Sequence, residues 1–229
     1  VAIAAGDYHS LAVVETAGAR LSARKIVRRT TIGVKVRATG AFPAGAYLLT
    51  ETPTPPAIDS PEWQTEKPTT FTLSAGDGMK TVYAYVADKA FFVSPPAIVH
   101  VRVDSTKPLV TITRPARSAA LRQLKMLAGT NSDPAPRSGL ASARAAIRRK
   151  NGSQCRWWRP ATERLVSAPC SKPLWFALPA GQRWTKAIGT LDVPGSYMAI
   201  VQAKDRAGNV GRSSSRFSIT SAARRPAGR

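Results

Sequence analysis

The chain has 229 residues, 43% of them hydrophobic, which is enough to close one or two cores and excludes wholesale disorder. Lys and Arg number 34 against 13 Asp and Glu, a formal net charge of +21 that favours anionic partners, and no apolar run reaches the roughly 20 residues of a membrane-spanning helix. Pro 18 and Gly 16 are spread among short apolar runs, the pattern of an all-β chain with many turns.

Residues 1–14 are a mostly apolar run, and residues 15–30 read as a basic, Ala-rich connector. Strand alternation then starts. Ile32, Val34, Val36 and Ala38 alternate with Gly33, Lys35 and Arg37, one face apolar and one polar. Residues 45–51 give a second strand, followed by a Pro-rich loop over 52–61. Strands over 69–74 and 80–87 are joined through Gly76-Asp77-Gly78, and Ala97, Val99, Val101 and Val103 line one face of a last strand. Residues 104–108 form a short boundary stiffened by Pro108. Beyond it, strands are expected at 109–113, 121–129, 140–149, 154–159, 174–178, 185–191, 195–204 and 212–219, with a turn-rich stretch over 131–139. Residues 221–229 read as a disordered basic tail.

One segment recurs. Lys80 to Val93 and Gly195 to Val210 are both alternating strands running into an aspartate, and Asp88-Lys89-Ala90 aligns with Asp205-Arg206-Ala207. The later copy continues into Gly208-Asn209, residues that supply the positive φ of a tight turn. The earlier copy has Phe91-Phe92 there. Aromatic residues resist positive φ, so that turn is expected to be longer or differently shaped. Phe91 and Phe92 are expected either to contact a neighbouring domain or to bury in their own sandwich. Two copies at domain-sized separation predict two β domains in tandem.

The charge is unevenly placed. Residues 28–104 hold eight Lys and Arg against seven acids, whereas residues 105–220 hold twenty against four. The second domain therefore carries about +16, which is either an adaptation to polyanions or the drift of an Arg-rich composition on solvated faces. Within it lies a basic and aromatic cluster of Arg144, Arg148, Arg149, Lys150, Arg156, Trp157, Trp158, Arg159 and Arg164. Adjacent strand residues face opposite ways. One of Trp157 and Trp158 should thus be core, and the other should lie on the surface among the arginines. Arg148, Arg149, Arg156, Trp158 and Arg159 are the candidate site for an anionic glycan, cell-wall polymer or nucleic acid, by stacking and charge.

Catalytic and metal sites find little support. His9 and Ser10 are adjacent strand residues and cannot meet as base and nucleophile, and His100 has no orienting partner in sequence. Asp59, Glu62 and Glu66 flank Trp63 in a loop, where solvation is the simpler role. Asp104, Asp133 and Asp205 are too few for the 6–8 oxygens of a calcium shell without many carbonyls, and Asp205 is better used to bind the backbone of its own hairpin. No catalytic residue, metal or cofactor is assigned. Cys155 and Cys170 have no histidine or third cysteine close enough for zinc. A disulfide, which implies an oxidising compartment, is the leading reading, with buried free thiols as the alternative.

Two resemblances add to this. Ala5-Gly6 followed by His9-Ser10-Leu11-Ala12 resembles the repeat of the regulator-of-chromosome-condensation β-propeller family, over about a dozen residues, and implies the last strand of a propeller lying upstream. Tyr47, Thr50-Glu51-Thr52-Pro53, Pro56, Trp63, Gly78, Lys80-Thr81, Tyr83-Ala84, Asp88 and Ser94 resemble, in order, the bacterial Ig-like domains of exported proteins. The second domain, with Ser138-Gly139, Cys155, Trp158, Cys170, Trp175, Gly195, Tyr197 and residues 205–209, resembles a related Ig-like class. The expectation is an all-β chain: a propeller-strand remnant over 1–27, Ig-like β-sandwich domains over 28–104 and 105–220, and the tail over 221–229. The resemblance implies a non-enzymatic spacing and adhesion module, extracellular or on the cell surface, without membrane insertion. Its partner would be a protein, an anionic polysaccharide or a cell-wall polymer, with nucleic acid ranked after these. The alternatives are a polyanion-binding module centred on the basic second domain and an accessory domain of a larger extracellular enzyme.

Overall fold

Alternating apolar residues need a partner layer, and the chain supplies one by stacking sheet on sheet. A computed structural model describes residues 2–6, 9–13, 17–40, 43–135, 137–151, 154–179 and 181–221, with backbone alone for 2–6, 9–13 and 151. Every regular element among them is a strand, and the chain divides into two compact units between Ser105 and Thr106. No helix among the described residues is long and apolar enough to cross a membrane.

The first unit opens with β1 (Ala2–Gly6) and β2 (His9–Val13), an antiparallel hairpin in register from Ala2↔Val13 to Gly6↔His9. These are the residues read as a propeller strand; the structure gives them one hairpin partner, and the side chains of His9 and Ser10 lie outside the described residues. Next come β3 (Gly18–Ala23), β4 (Ile26–Val27), β5 (Thr31–Thr39), β6 (Ala44–Thr50), β7 (Thr70–Thr72), β8 (Gly78–Asp88) and β9 (Ala97–Val103). One sheet has the order β3-β5-β7 and the other β4-β9-β8-β6. Ile32, Val34, Leu73, Val82, Val101 and Val103 close the core between them.

The expected connector over 15–30 is thus corrected. Its residues 18–23 and 26–27 are strands of the first sandwich, with Ala19 to Ala23 paired against Ala38 to Val34 and Leu21 and Ala23 packed on the core. Alanine and glycine kept the alternation of β3 faint, because small side chains barely mark an inward face. The Pro-rich loop lies over β8: the Tyr85 hydroxyl donates to the Pro53 carbonyl, and Glu51 Oε2 accepts from Ser74 N at 2.5 Å.

The second unit contains β10 (Leu109–Arg114), β11 (Ala119–Leu121), β12 (Leu124–Ser132), β13 (Leu140–Asn151), β14 (Gln154–Arg159), β15 (Arg164–Ser167), β16 (Phe176–Ala177), β17 (Arg183–Leu191), β18 (Gly195–Asp205) and β19 (Val210–Ile219). A three-stranded sheet, β10-β12-β17, faces a larger one ordered β11-β19-β18-β13-β14-β15, with β16 added on β13. Leu127, Ile147, Trp158, Trp184, Ile188, Leu191 and Val201 are among the buried side chains between the two sheets. The tail from 222 onward lies outside the described residues.

The recurring turn departs from expectation. Asp88 N donates to Phe92 O at 3.1 Å, Phe91 N to Asp88 O at 3.0 Å, and Phe92 N to Asp88 Oδ1 at 3.0 Å. Its counterpart has Asp205 N to Asn209 O at 3.1 Å, Gly208 N to Asp205 O at 3.3 Å, and Asn209 N to Asp205 Oδ1 at 2.8 Å. The two turns have the same length and the same frame. Phe91 takes the left-handed conformation, φ 67°, where Gly208 has φ 100°. The Asp88 carboxylate imposes that geometry on an aromatic residue. Nor do the two rings bury in their own sandwich: Phe91 is 71% and Phe92 60% exposed.

Candidate functional site

On β14 alternation works, but both directions lead inward. Trp157 and Cys155 face away from the three-stranded sheet, and Trp158 faces it. Trp158 is 2% exposed, within the main core, and its Nε1 donates to Ile188 O at 2.8 Å. Trp157 is 0% exposed, in a second cluster with Ala146, Cys155, Ala168, Cys170, Leu174, Trp175 and Ile200, and its Nε1 donates to Pro169 O. The expected surface tryptophan at Trp158 is corrected: the outer face of the large sheet is itself covered, by the loop after β15.

A disulfide holds that cover. Cys155 and Cys170 are bonded across 15 residues with Cα atoms 5.1 Å apart. Ala168 N donates to Cys155 O, and beyond the disulfide β16 pairs with β13 through Ala145↔Phe176 and Arg144↔Ala177. The loop is therefore fastened at both ends.

The candidate arginines are divided between the faces. Arg149 pairs with Arg156 across β13 and β14, on the side of Trp158 and Tyr197. Arg148 pairs with Trp157 and Met198 on the opposite face, its Nη2 3.6 Å from Met198 Sδ, and Arg159 shares that face through the alternation of β14. Arg156 is exposed and donates to Leu165 O at 3.2 Å. The five residues therefore do not form one surface. Burial raises the Tyr197 phenol above its ordinary value, with Arg149 and Arg156 pulling it down and Asp192 pushing it up; its hydroxyl donates to Val193 O at 2.7 Å.

Among the described residues, a cation–aromatic contact joins Arg144 to Trp175, with the guanidinium carbon 4.5 Å from the ring centroid. Gln202 Oε1 fixes the arginine by accepting from Nε at 3.1 Å and Nη2 at 2.9 Å. Sequence reading missed this pair because Trp175 is thirty-one positions from Arg144 and reaches it only through the tethered loop. The signal that was available is that Trp175 follows Cys170 by five residues, close enough for the disulfide to position it.

Beside Trp175 lies a groove of about 660 Å³. One wall is the tethered loop, with Pro173, Trp175 and Phe176. The other is the β14–β15 turn, with Arg159 and Pro160, and Lys186 of β17 also lines it. Glu163 in that turn accepts from Thr190 N at 3.0 Å, which ties the second wall to β17.

The remaining candidates have ordinary structural roles. Asp59, Glu62 and Glu66 are all exposed in their loop, beside half-buried Trp63. His100 is exposed, its Nδ1 3.1 Å from Thr81 Oγ1. Asp205 spends its carboxylate on Gly208 N, Asn209 N and Asn209 Nδ2 at 2.6, 2.8 and 2.8 Å. Asp133 Oδ2 accepts from Gly139 N at 2.6 Å, and its carboxylate lies within 4.8 Å of that of Asp205.

No family profile matches the chain, and no curated protein sequence matches it. Among solved structures, it is similar to the fibronectin(III)-like modules of Clostridium thermocellum CbhA, at 14% identity over 88% of this chain and 94% of that one, with a TM-score of 0.42. It is similar to a tetra-tandem repeat from the extending region of a large adhesion protein, at 14% identity over 90% of this chain and 50% of that one, with a TM-score of 0.36. A third similarity is to the D00-D0 domain of intimin, at 13% identity over 87% of this chain and 98% of that one, with a TM-score of 0.34.

Proposed function

We propose that the chain is a non-enzymatic module of an exported or cell-surface bacterial protein, which spaces neighbouring parts and presents contact surfaces. The observation that carries this reading is the exposed pair Phe91 and Phe92 on a turn whose backbone is pinned by a buried aspartate. A left-handed aromatic residue costs about 1–2 kcal/mol. Holding one in solvent, on a rigid sandwich with its own core, suits presentation to a partner module better than internal packing. The Cys155–Cys170 disulfide supports an oxidising, extracellular setting.

Force spectroscopy on the full chain tests the spacing role. The expected trace has two discrete unfolding events, one of which lengthens when reductant releases the residues between Cys155 and Cys170. A featureless extension at low force would overturn it. Replacing Phe91 and Phe92 together by Ser is expected to leave both events intact while removing the exposed contact surface.

A further inference from the structure

We propose that the groove beside Trp175 binds an anionic polysaccharide chain, with pyranose C–H faces against Trp175 and Phe176 and the acidic groups of the sugar on Arg159 and Lys186. The proposal goes beyond the spacing role and does not rest on it.

The groove is built before any ligand arrives. The Cys155–Cys170 bond and the β13–β16 pairing fix the wall that carries Trp175, and Glu163 fixes the opposite turn. Arg144, clamped by Gln202, stacks on the Trp175 ring and limits its motion. A wall ordered in advance spares the cost of ordering side chains on binding. The volume, about 660 Å³, lies within the roughly 300–1,000 Å³ of ligand clefts.

The lining selects the ligand. Among the described residues it is mostly apolar and aromatic, it includes the cations Arg159 and Lys186, and it includes no acid. Arg164 pairs with Arg159 across β14 and β15, and the surrounding residues 105–220 carry twenty cations against four acids. Charge therefore favours an anionic chain. A pyranose ring pairs an apolar C–H face with a rim of oxygens and acidic groups, the complement of an aromatic wall with cations. Single-stranded nucleic acid stacks its bases on open ring faces. Trp175 and Phe176 are half-buried and offer only part of a ring face, too little for a flat base to stack on fully.

Titration of the full chain with oligogalacturonate and with heparin oligosaccharide, followed by tryptophan fluorescence and calorimetry, tests this. Saturable binding of either supports the proposal, and the preferred one tells carboxylate from sulfate recognition. A neutral galactan oligomer of equal length is expected to bind about tenfold or more weakly. R159S combined with K186S should weaken binding by about tenfold or more with unchanged circular dichroism and melting temperature, since Arg159 is exposed and Lys186 half-exposed. W175F should keep most of the affinity and lose the fluorescence change. No saturable binding of either sugar would overturn the proposal. So would binding that survives R159S with K186S but falls in R148S with R149S, or an oligothymidylate that binds more tightly than both sugars.

Discussion

The turn after Asp88 and the turn after Asp205 have one backbone and two sequences. Gly208-Asn209 is the pair expected at such a site, and Phe91-Phe92 is not, yet both turns close through the same 88→92 and 205→209 frame. The shared residue is the aspartate, and it decides the geometry. A buried carboxylate accepting two backbone N–H groups contributes roughly 1.5–3 kcal/mol per bond, more than the roughly 1–2 kcal/mol by which a left-handed side chain opposes it. The strands that leave the two turns differ. Past the second turn the ladder continues unbroken from Lys204↔Val210 to Gly195↔Ile219. Past the first, Ala87↔Val93 is an isolated bridge, Pro95 and Pro96 intervene without N–H donors, and pairing resumes at Ala84↔Ala97 with a one-residue offset. Gly-Asn makes such a turn comfortable, whereas Asp makes it obligatory.

Removing either aspartate should destabilise its unit more than any other single change. D205A removes three hydrogen bonds to a carboxylate 1% exposed and should cost about 5 kcal/mol; D88A removes two and should cost about 3 kcal/mol. Urea unfolding reads both, with Trp63 reporting on the first unit and the other four tryptophans on the second. If D88A proved harmless, the sequence and not the aspartate would have to shape the first turn. The staple comes next. C155A with C170A should destabilise the second unit alone by about 3 kcal/mol, the chain-entropy value for a loop of this size. A loss shared by the Trp63 signal would contradict the independence of the two cores.

Smaller effects sharpen the contrast at the third turn position. G208F should cost about 1–2 kcal/mol by placing a side chain at φ 100°, whereas F91G should gain only about 0.5 kcal/mol, because glycine also loosens the unfolded chain. Thermal melts of the pair of variants would show this asymmetry, and equal and opposite shifts would refute it. The smallest effect is in pH. Tyr197 has its phenol raised above the ordinary 10.0 mainly by burial. Its folded form therefore favours the proton: the stability this adds is complete below pH 10 and is lost as pH rises through the raised value. Y197F should flatten that alkaline decline in the second unit, measured by urea titrations from pH 8 to pH 11; an unchanged slope would remove Tyr197 as its source.

Much of this architecture was legible in the residues. Ile32, Val34 and Val36 declared an inward face at period 2, as did Val99, Val101 and Val103, and the structure buries them or packs them against the core. Cys155 and Cys170 declared their bond by lacking any third ligand. Less could be read where small or paired residues carry no direction. In β3 the inward residues are Ala19, Leu21 and Ala23, and a single large side chain between two alanines does not establish a period, so the strand reads as a connector. Alternation puts Trp157 and Trp158 on opposite faces but does not reveal that the outer face is covered, because the cover is a loop some fifteen residues further along.

The residues alone imply strands in two successive sandwiches, a second half that holds most of the positive charge, and a turn anchored by Asp205. These features come from local rules: period-2 burial, the reach of a carboxylate to its own backbone, and the plain count of charges. Which side of a sheet meets water, which arginines share a surface, and the meeting of Trp175 with Arg144 follow from the packed fold. Those depend on long-range closure, since a disulfide and a two-residue strand bring to one place residues that no local period relates.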